Sequence, residues 1–115
     1  MAEGEARYVM VNAIIRPNKV DAVRDALIKS GHSGMTVIDV RGCGQERGHT
    51  AIYRGKEYQV SLLPKMQLEV AVPEGDVERV LEEIVFAARV GDHGDGRVWT
   101  YNMDNYRSIR TGQSE

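Results

Sequence analysis

Two glycine clusters and a handful of cations are the residues of this 115-residue chain best suited to chemistry. The clusters are "GCG" (Gly42 to Gly44) and "GDHGDG" (Gly91 to Gly96). Glycines let successive backbone N–H groups turn toward one anion, which makes a cradle for phosphate. Arg97 adjoins the second cluster, Lys65 stands between the two, and Arg107 and Arg110 lie near the C-terminus. Two such turns with Lys and Arg groups are what a nucleotide polyphosphate requires. Taken alone, either cluster also reads as a plain glycine-rich turn. A calcium loop does not fit "GDHGDG", because the pattern would need a Glu where Met103 stands.

Other chemistry is sparse. His32, His49 and His93 occur singly, without the pairing a metal cage needs, and read as exposed loop histidines. Cys43 has no CxxC partner, so it reads as structural rather than nucleophilic. No motif sets a base beside a nucleophile, so no catalytic residue is assigned. A slow nucleotide phosphohydrolase is the enzymatic alternative, and it has no supporting motif.

Composition narrows the class further. The chain is 42% hydrophobic and 28% charged with net charge −2, which suits one folded domain. No basic stripe is present to bind nucleic acid. No apolar run approaches the ~20 residues of a membrane span, and the acidic start "MAEGEARY" is unlike a signal peptide. With one cysteine and no signal, a reducing cytoplasm is the expected compartment.

The elements that must position these residues are legible as periods. "YVMVNAII" (Tyr8 to Ile15) reads as a buried strand. "NKVDAVRDALIKSG" reads as an amphipathic helix, with Asn18 as N-cap and Ser30-Gly31 as the stop. "MTVIDVR" (Met35 to Arg41) is a second strand. "KMQLEVAVP" alternates, with Met66, Leu68, Val70 and Val72 on one face and Gln67, Glu69 and Ala71 on the other. "GDVERVLEEIVFAAR" carries Val77, Val80, Leu81, Ile84 and Ala88 on one stripe, with Asp76 as cap. "RVWTY" (Arg97 to Tyr101) closes as a fourth strand. The order is βαβ, long loop, βαβ: an α+β, ferredoxin-like βαββαβ sandwich with helices on one face of a mixed four-stranded sheet. Residues 1–7 are expected to be a flexible start, 43–62 a long loop and 111–115 a flexible tail. The open sheet face would carry Tyr8, Met10, Ile14, Ile38, Trp99 and Tyr101. That is too apolar for water, so an oligomer is expected.

At this point the residues resemble a known family. "AIIRPNKVDAVRDALIKSGHSGMTV", "GCGQERGHTAIYRGKEYQVSLLPK", "GDGRV" and "IRTG" are similar, in order and spacing, to the PII nitrogen-regulatory signalling proteins over roughly residues 8 to 112. The resemblance implies a homotrimer that binds ATP or ADP in clefts between subunits. It implies an adenine side around Ile14, Gly34, Met35, Thr36 and Ala71. It places phosphates at Gly42, Gly44, Gly94, Asp95, Gly96, Arg97 and Arg110, the last from a neighbouring subunit. It implies that 2-oxoglutarate binds beside ATP through Mg²⁺, with Lys65 meeting a ligand carboxylate. The long loop would be the arm that engages a partner, such as a membrane transporter, a modifying enzyme or a transcription regulator. Tyr58 would be its modification site.

The chain departs from the family pattern at chosen places. Common members read roughly "GRQKGH"; here "GQERGH" puts Glu46 at the metal-binding Gln and Gln45 at a phosphate-binding Arg. Glu46 can still ligate Mg²⁺, but it adds a negative charge beside ATP and a dicarboxylate. Val90 and Asp92 replace a Thr and a Lys, and Ser108 replaces an Arg. These changes favour ADP or AMP relative to ATP and weaken 2-oxoglutarate sensing. The alternative reading is therefore a PII-like regulator of another process, such as bicarbonate transport or metal efflux, responding to ADP or AMP.

Overall fold

In the computed structural model, residues 7–42, 50–53, 56–59 and 62–113 are described, those of 50–53 and 56–59 by their backbone. The element order is β1 (Tyr8–Ile15), α1 (Val20–Lys29), β2 (Met35–Gly42), β3 (Thr50–Tyr53), β4 (Lys56–Gln59), β5 (Leu63–Pro73), α2 (Val77–Ala88) and β6 (Arg97–Asn102). Four strands form one sheet in the order β2-β5-β1-β6, and β3 and β4 form a separate two-stranded pair. Every neighbouring pair in the main sheet is antiparallel. The sheet is therefore not mixed, as the sequence reading had it. Each helical crossover skips one position in the sheet, so the strands it links never pair with each other.

The register separates two faces. Val9, Val11, Ala13 and Ile15 of β1 lie opposite Val72, Val70, Leu68 and Met66 of β5. This face meets Val23 and Leu27 of α1 and Val80, Ile84 and Ala88 of α2, all buried. Both helices therefore present i, i+4 residues to one β-sheet face, which is why a single apolar stripe on each suffices. Burial of each Val, Leu or Ile here stabilises the fold by roughly 1.5–3 kcal/mol. The opposite face carries Tyr8, Met10, Asn12 and Ile14 of β1, Ile38 of β2, and Trp99 and Tyr101 of β6. All six apolar residues expected there lie there.

Helix starts differ from the sequence reading. Asn18 does not cap α1; it sits inside a 3₁₀ turn, Pro17–Lys19, that leads into the helix. Pro17 fixes the backbone one residue before Asn18 and draws it into the turn, away from the extended cap conformation. Asp76 does stand at the N-cap of α2, but its side chain makes no cap hydrogen bond. Its carboxylate instead meets His32 Nε2 at 3.4 Å and Arg79 at 3.6 Å. His32 is thus not the exposed loop histidine expected: its side chain is only 9% exposed. His93 is exposed, and His49 lies outside the described residues.

The segment read as one long loop, 43–62, contains a β-hairpin. Thr50 pairs with Gln59, Ala51 with Tyr58, Ile52 with Glu57 and Tyr53 with Lys56. Tyr53 and Tyr58 with Ile52 carried the strand signal. It was hidden because each strand is only four residues long.

Candidate nucleotide site

The glycine loop before β6 is built around one carboxylate. Asp95 accepts hydrogen bonds from three successive backbone N–H groups: Val90 at 3.1 Å, Gly91 at 2.8 Å and Asp92 at 3.2 Å. Arg16, at the end of β1, donates from Nε at 3.4 Å. Partial burial pushes this carboxyl up, but the amides of Gly91, Val90 and Asp92 and the Arg16 guanidinium outweigh it, and hold the pKa below the ordinary aspartate value. Asp92 in turn accepts from His93 N–H at 3.0 Å and opens a short 3₁₀ turn, His93–Asp95. The anion cradle expected of "GDHGDG" exists at residues 90–92, but the anion in it is the chain's own Asp95. The Asp95 side chain therefore shapes the loop.

Gly96 follows with φ near +100°, where L side chains are strained. A Cβ there would lie 1.7 Å from the Ile14 carbonyl oxygen. The loop backbone thus presses directly on β1, and Ile14 pairs with Arg97 on the next strand. Lys65 of β5 is 7% exposed and donates from Nζ to the Gly94 carbonyl at 3.0 Å. A buried ammonium needs such an acceptor. Through these contacts Ile14, Lys65, Gly94, Asp95, Gly96 and Arg97 form one cluster. Gly42 pairs with Leu63, two residues before Lys65, at the same end of the sheet.

The remaining site residues lie elsewhere in the subunit. Met35 pairs with Val70 and Thr36 with Glu69, so Gly34, Met35, Thr36 and Ala71 gather where β2 begins. β2 and β6 are opposite edges of the sheet. About 14 Å, three strand spacings, separate the β2 residues of that group from Arg97, and Ala71 on β5 lies six residues along the same strand from Lys65. Arg110 lies on the tail after β6, which is tied to the far end of the sheet where Met103 N–H donates to the Tyr8 carbonyl at 3.2 Å and the Tyr106 and Tyr8 rings lie 4.7 Å apart. The tail closes on itself, with Gly112 N–H donating to the Ser108 carbonyl at 2.8 Å. Arg97 and Arg110 are both exposed. Gly44 and Glu46 lie outside the described residues, and of Tyr58 only the backbone, paired with Ala51, is described. Among the described residues, no three His, Cys, Asp or Glu side chains are grouped to hold a metal.

Sequence reasoning missed Arg16 and Asn12. Arg16 touches Asp95 across 79 residues, a relation no local pattern carries. Asn12 sits mid-strand in an apolar run and is 1% exposed. A polar residue inside "YVMVNAII" was the available signal.

Comparison with known proteins places this fold and loop arrangement. The family profile described as "Nitrogen regulatory protein P-II" matches residues 8–113. A Nitrogen regulatory protein P-II of Rhizobium etli is 47% identical over 106 residues, covering 92% of this chain and 95% of the relative. One from Synechocystis is 47% identical over 105 residues, covering 91% and 94%. Nitrogen regulatory protein P-II 1 of Escherichia coli K12 is 42% identical over 105 residues, again 91% and 94%. The chain belongs to the P-II family of nitrogen regulatory proteins, a family of signal-transduction regulators.

Proposed function

We propose that this chain is a trimeric adenylate sensor, which binds ATP or ADP in clefts between subunits and controls partner proteins of nitrogen metabolism through residues 43–62. The observation that carries this is the split of the site. Ile14, Lys65 and Gly94 to Arg97 stand at one end of the sheet, Ala71 lies six residues from Lys65 along β5, Gly34 to Thr36 lie where the edge strand β2 begins, and Arg110 is on the tail after β6. One subunit does not bring these groups around a single ligand; apposed edges of two copies can. The apolar open sheet face supports the same assembly, since Ile38 is 40% and Tyr101 51% exposed in the single chain.

In this reading Arg97 and Arg110 supply cationic forks for phosphate oxygens. The absent Gly96 side chain lets the loop press on Ile14 of β1, which sets Arg97 beside it. Lys65 adds a positive charge beside the phosphates and any dicarboxylate. Mg²⁺, where it binds, would be held by Glu46 together with phosphate oxygens, which suits a hard cation. The signal is a shift in the population of the 43–62 segment between ligand states, with Tyr58 as its modification site. Partners are a membrane transporter, a modifying enzyme or a transcription regulator.

A second reading has support in the residues. Glu46, Asp92 and Ser108 make the phosphate region less cationic than the common family pattern. They favour a regulator of another process, such as bicarbonate transport or metal efflux, that reads ADP or AMP without 2-oxoglutarate. Calorimetry of the full chain with ATP, ADP and AMP, each with and without Mg²⁺ and 2-oxoglutarate, tests both. Tighter ATP binding with Mg²⁺ and 2-oxoglutarate supports the first. ADP or AMP preference with no 2-oxoglutarate effect supports the second. No nucleotide binding at millimolar concentration rejects both.

A further inference from the structure

The open sheet face has a polar pair at its centre. Asn12 of β1 stands directly opposite Glu69 of β5 on one side and Trp99 of β6 on the other. Asn12 is 1% exposed, and its Nδ2 is fully enclosed with no hydrogen-bond partner among the described residues. An unpaired buried donor costs about 1–3 kcal/mol, and such groups are rare enough in native proteins to call for a cause. Glu69 is half-buried, and its carboxylate joins no hydrogen bond or ion pair among the described residues. Residues opposed on neighbouring antiparallel strands have Cβ atoms roughly 4.5–5.5 Å apart, so a side-chain rotation brings the Glu69 carboxylate to the Asn12 amide.

Water decides whether that rotation happens. On an uncovered face the carboxylate stays hydrated, and it gains little by turning inward. Covering the face strips that water, and a buried carboxylate must then be paired. On one side of it Asn12 Nδ2 is the buried, unsatisfied donor; on the other stands Thr36 of β2, which is exposed in the single chain. Around the pair lie Met10, Ile14, Ile38, Trp99 and Tyr101. The face's other charges are Lys65, held to the Gly94 carbonyl, and Arg97 at the rim. A surface so poor in charge fits an apolar sheet of matching width and twist, which a second copy of this chain provides. We propose that Asn12 and Glu69 form a polar clasp that closes within each subunit when a second copy of this chain covers the open sheet face. This rests on the assembly reading above and adds that assembly and the Asn12–Glu69 contact are coupled.

The test is subunit dissociation of the full chain without nucleotide, by sedimentation equilibrium, with folding checked by circular dichroism. The wild-type chain is compared with Asn12→Leu, Asn12→Ala and each of these combined with Glu69→Leu. Losing the donor strands a buried carboxylate, so either Asn12 variant weakens association at least about tenfold. Adding Glu69→Leu restores it, because no carboxylate remains to be paired. Asn12 variants that associate like the wild-type chain, or double variants that fail to recover, overturn the clasp while leaving the assembly reading intact. A monomeric wild-type chain overturns both. If the Asn12 variants do not fold, Glu69→Leu alone decides: an association constant salt-independent and equal to that of the wild-type chain overturns the clasp.

Discussion

At the scale of single residues, Gly96 and Asp95 carry the candidate site. Gly96→Ala puts a Cβ 1.7 Å from a backbone oxygen that cannot rotate away, at a positive φ. The cost is at least about 2 kcal/mol, read as a lower urea midpoint. An Ala at Gly34, which has open space around its Cβ position, should shift that midpoint far less. Asp95 gives a pH prediction. Its pKa is lowered in the folded chain, so it contributes stability that is present above the ordinary aspartate pKa of about 4 and is lost as pH falls through the folded value. Asp95→Asn removes that dependence. The loss of stability below about pH 4 should be shallower in the variant than in the wild-type chain, measured by denaturation across pH. "GDHGDG" disclosed a backbone cradle from sequence. That Asp95 fills it was not legible, because the carboxylate's role depends on the loop closing around it.

Two predictions belong to the elements. Ile84 lies at the centre of the α2 stripe and is 1% exposed. Ile84→Ala should destabilise the fold by about 2–5 kcal/mol, whereas Phe86→Ala, at an 88% exposed position on the same helix, should change it by less than about 0.5 kcal/mol. Thermal denaturation of the two variants checks this. Asp76 joins the α1–β2 corner, through His32, to the first turn of α2, through Arg79. These pairs are partly exposed, so Asp76→Ala should cost only about 0.5–1 kcal/mol. The periods of 2 and 3.6 were strong enough to place β1 and the helices to within a residue or two. The hairpin of β3 and β4 escaped, since four-residue strands carry barely two repeats of any period.

At the scale of the whole molecule, the sheet order explains both the core and the site. β1 and β5 are central strands, so their inner residues make most of the core. β2 and β6 are edges, and each carries part of the candidate nucleotide site. The assembly reading predicts that Trp99→Glu, placed on the open face, yields a monomer with unchanged circular dichroism. It should also bind ATP and ADP at least about tenfold more weakly, because clefts between subunits are lost with the interface. Sedimentation velocity and calorimetry on the same sample check the two together. A monomer that retains wild-type affinity would refute an inter-subunit site. Among the described residues no helix is long and apolar enough to cross a membrane.

The sequence by itself determined the two-layer α+β class, the faces of the four main-sheet strands and the membership of the P-II family. Side-chain periodicity and motif spacing are local properties, and they survive without coordinates. Only the tertiary structure decided that neighbouring strands are all antiparallel, that Asp95 occupies its own cradle with Arg16 behind it, and that Asn12 and Glu69 oppose each other mid-sheet. Those relations join residues far apart in the chain. They depend on which strands become neighbours and in what register, which backbone hydrogen bonding and core packing settle together.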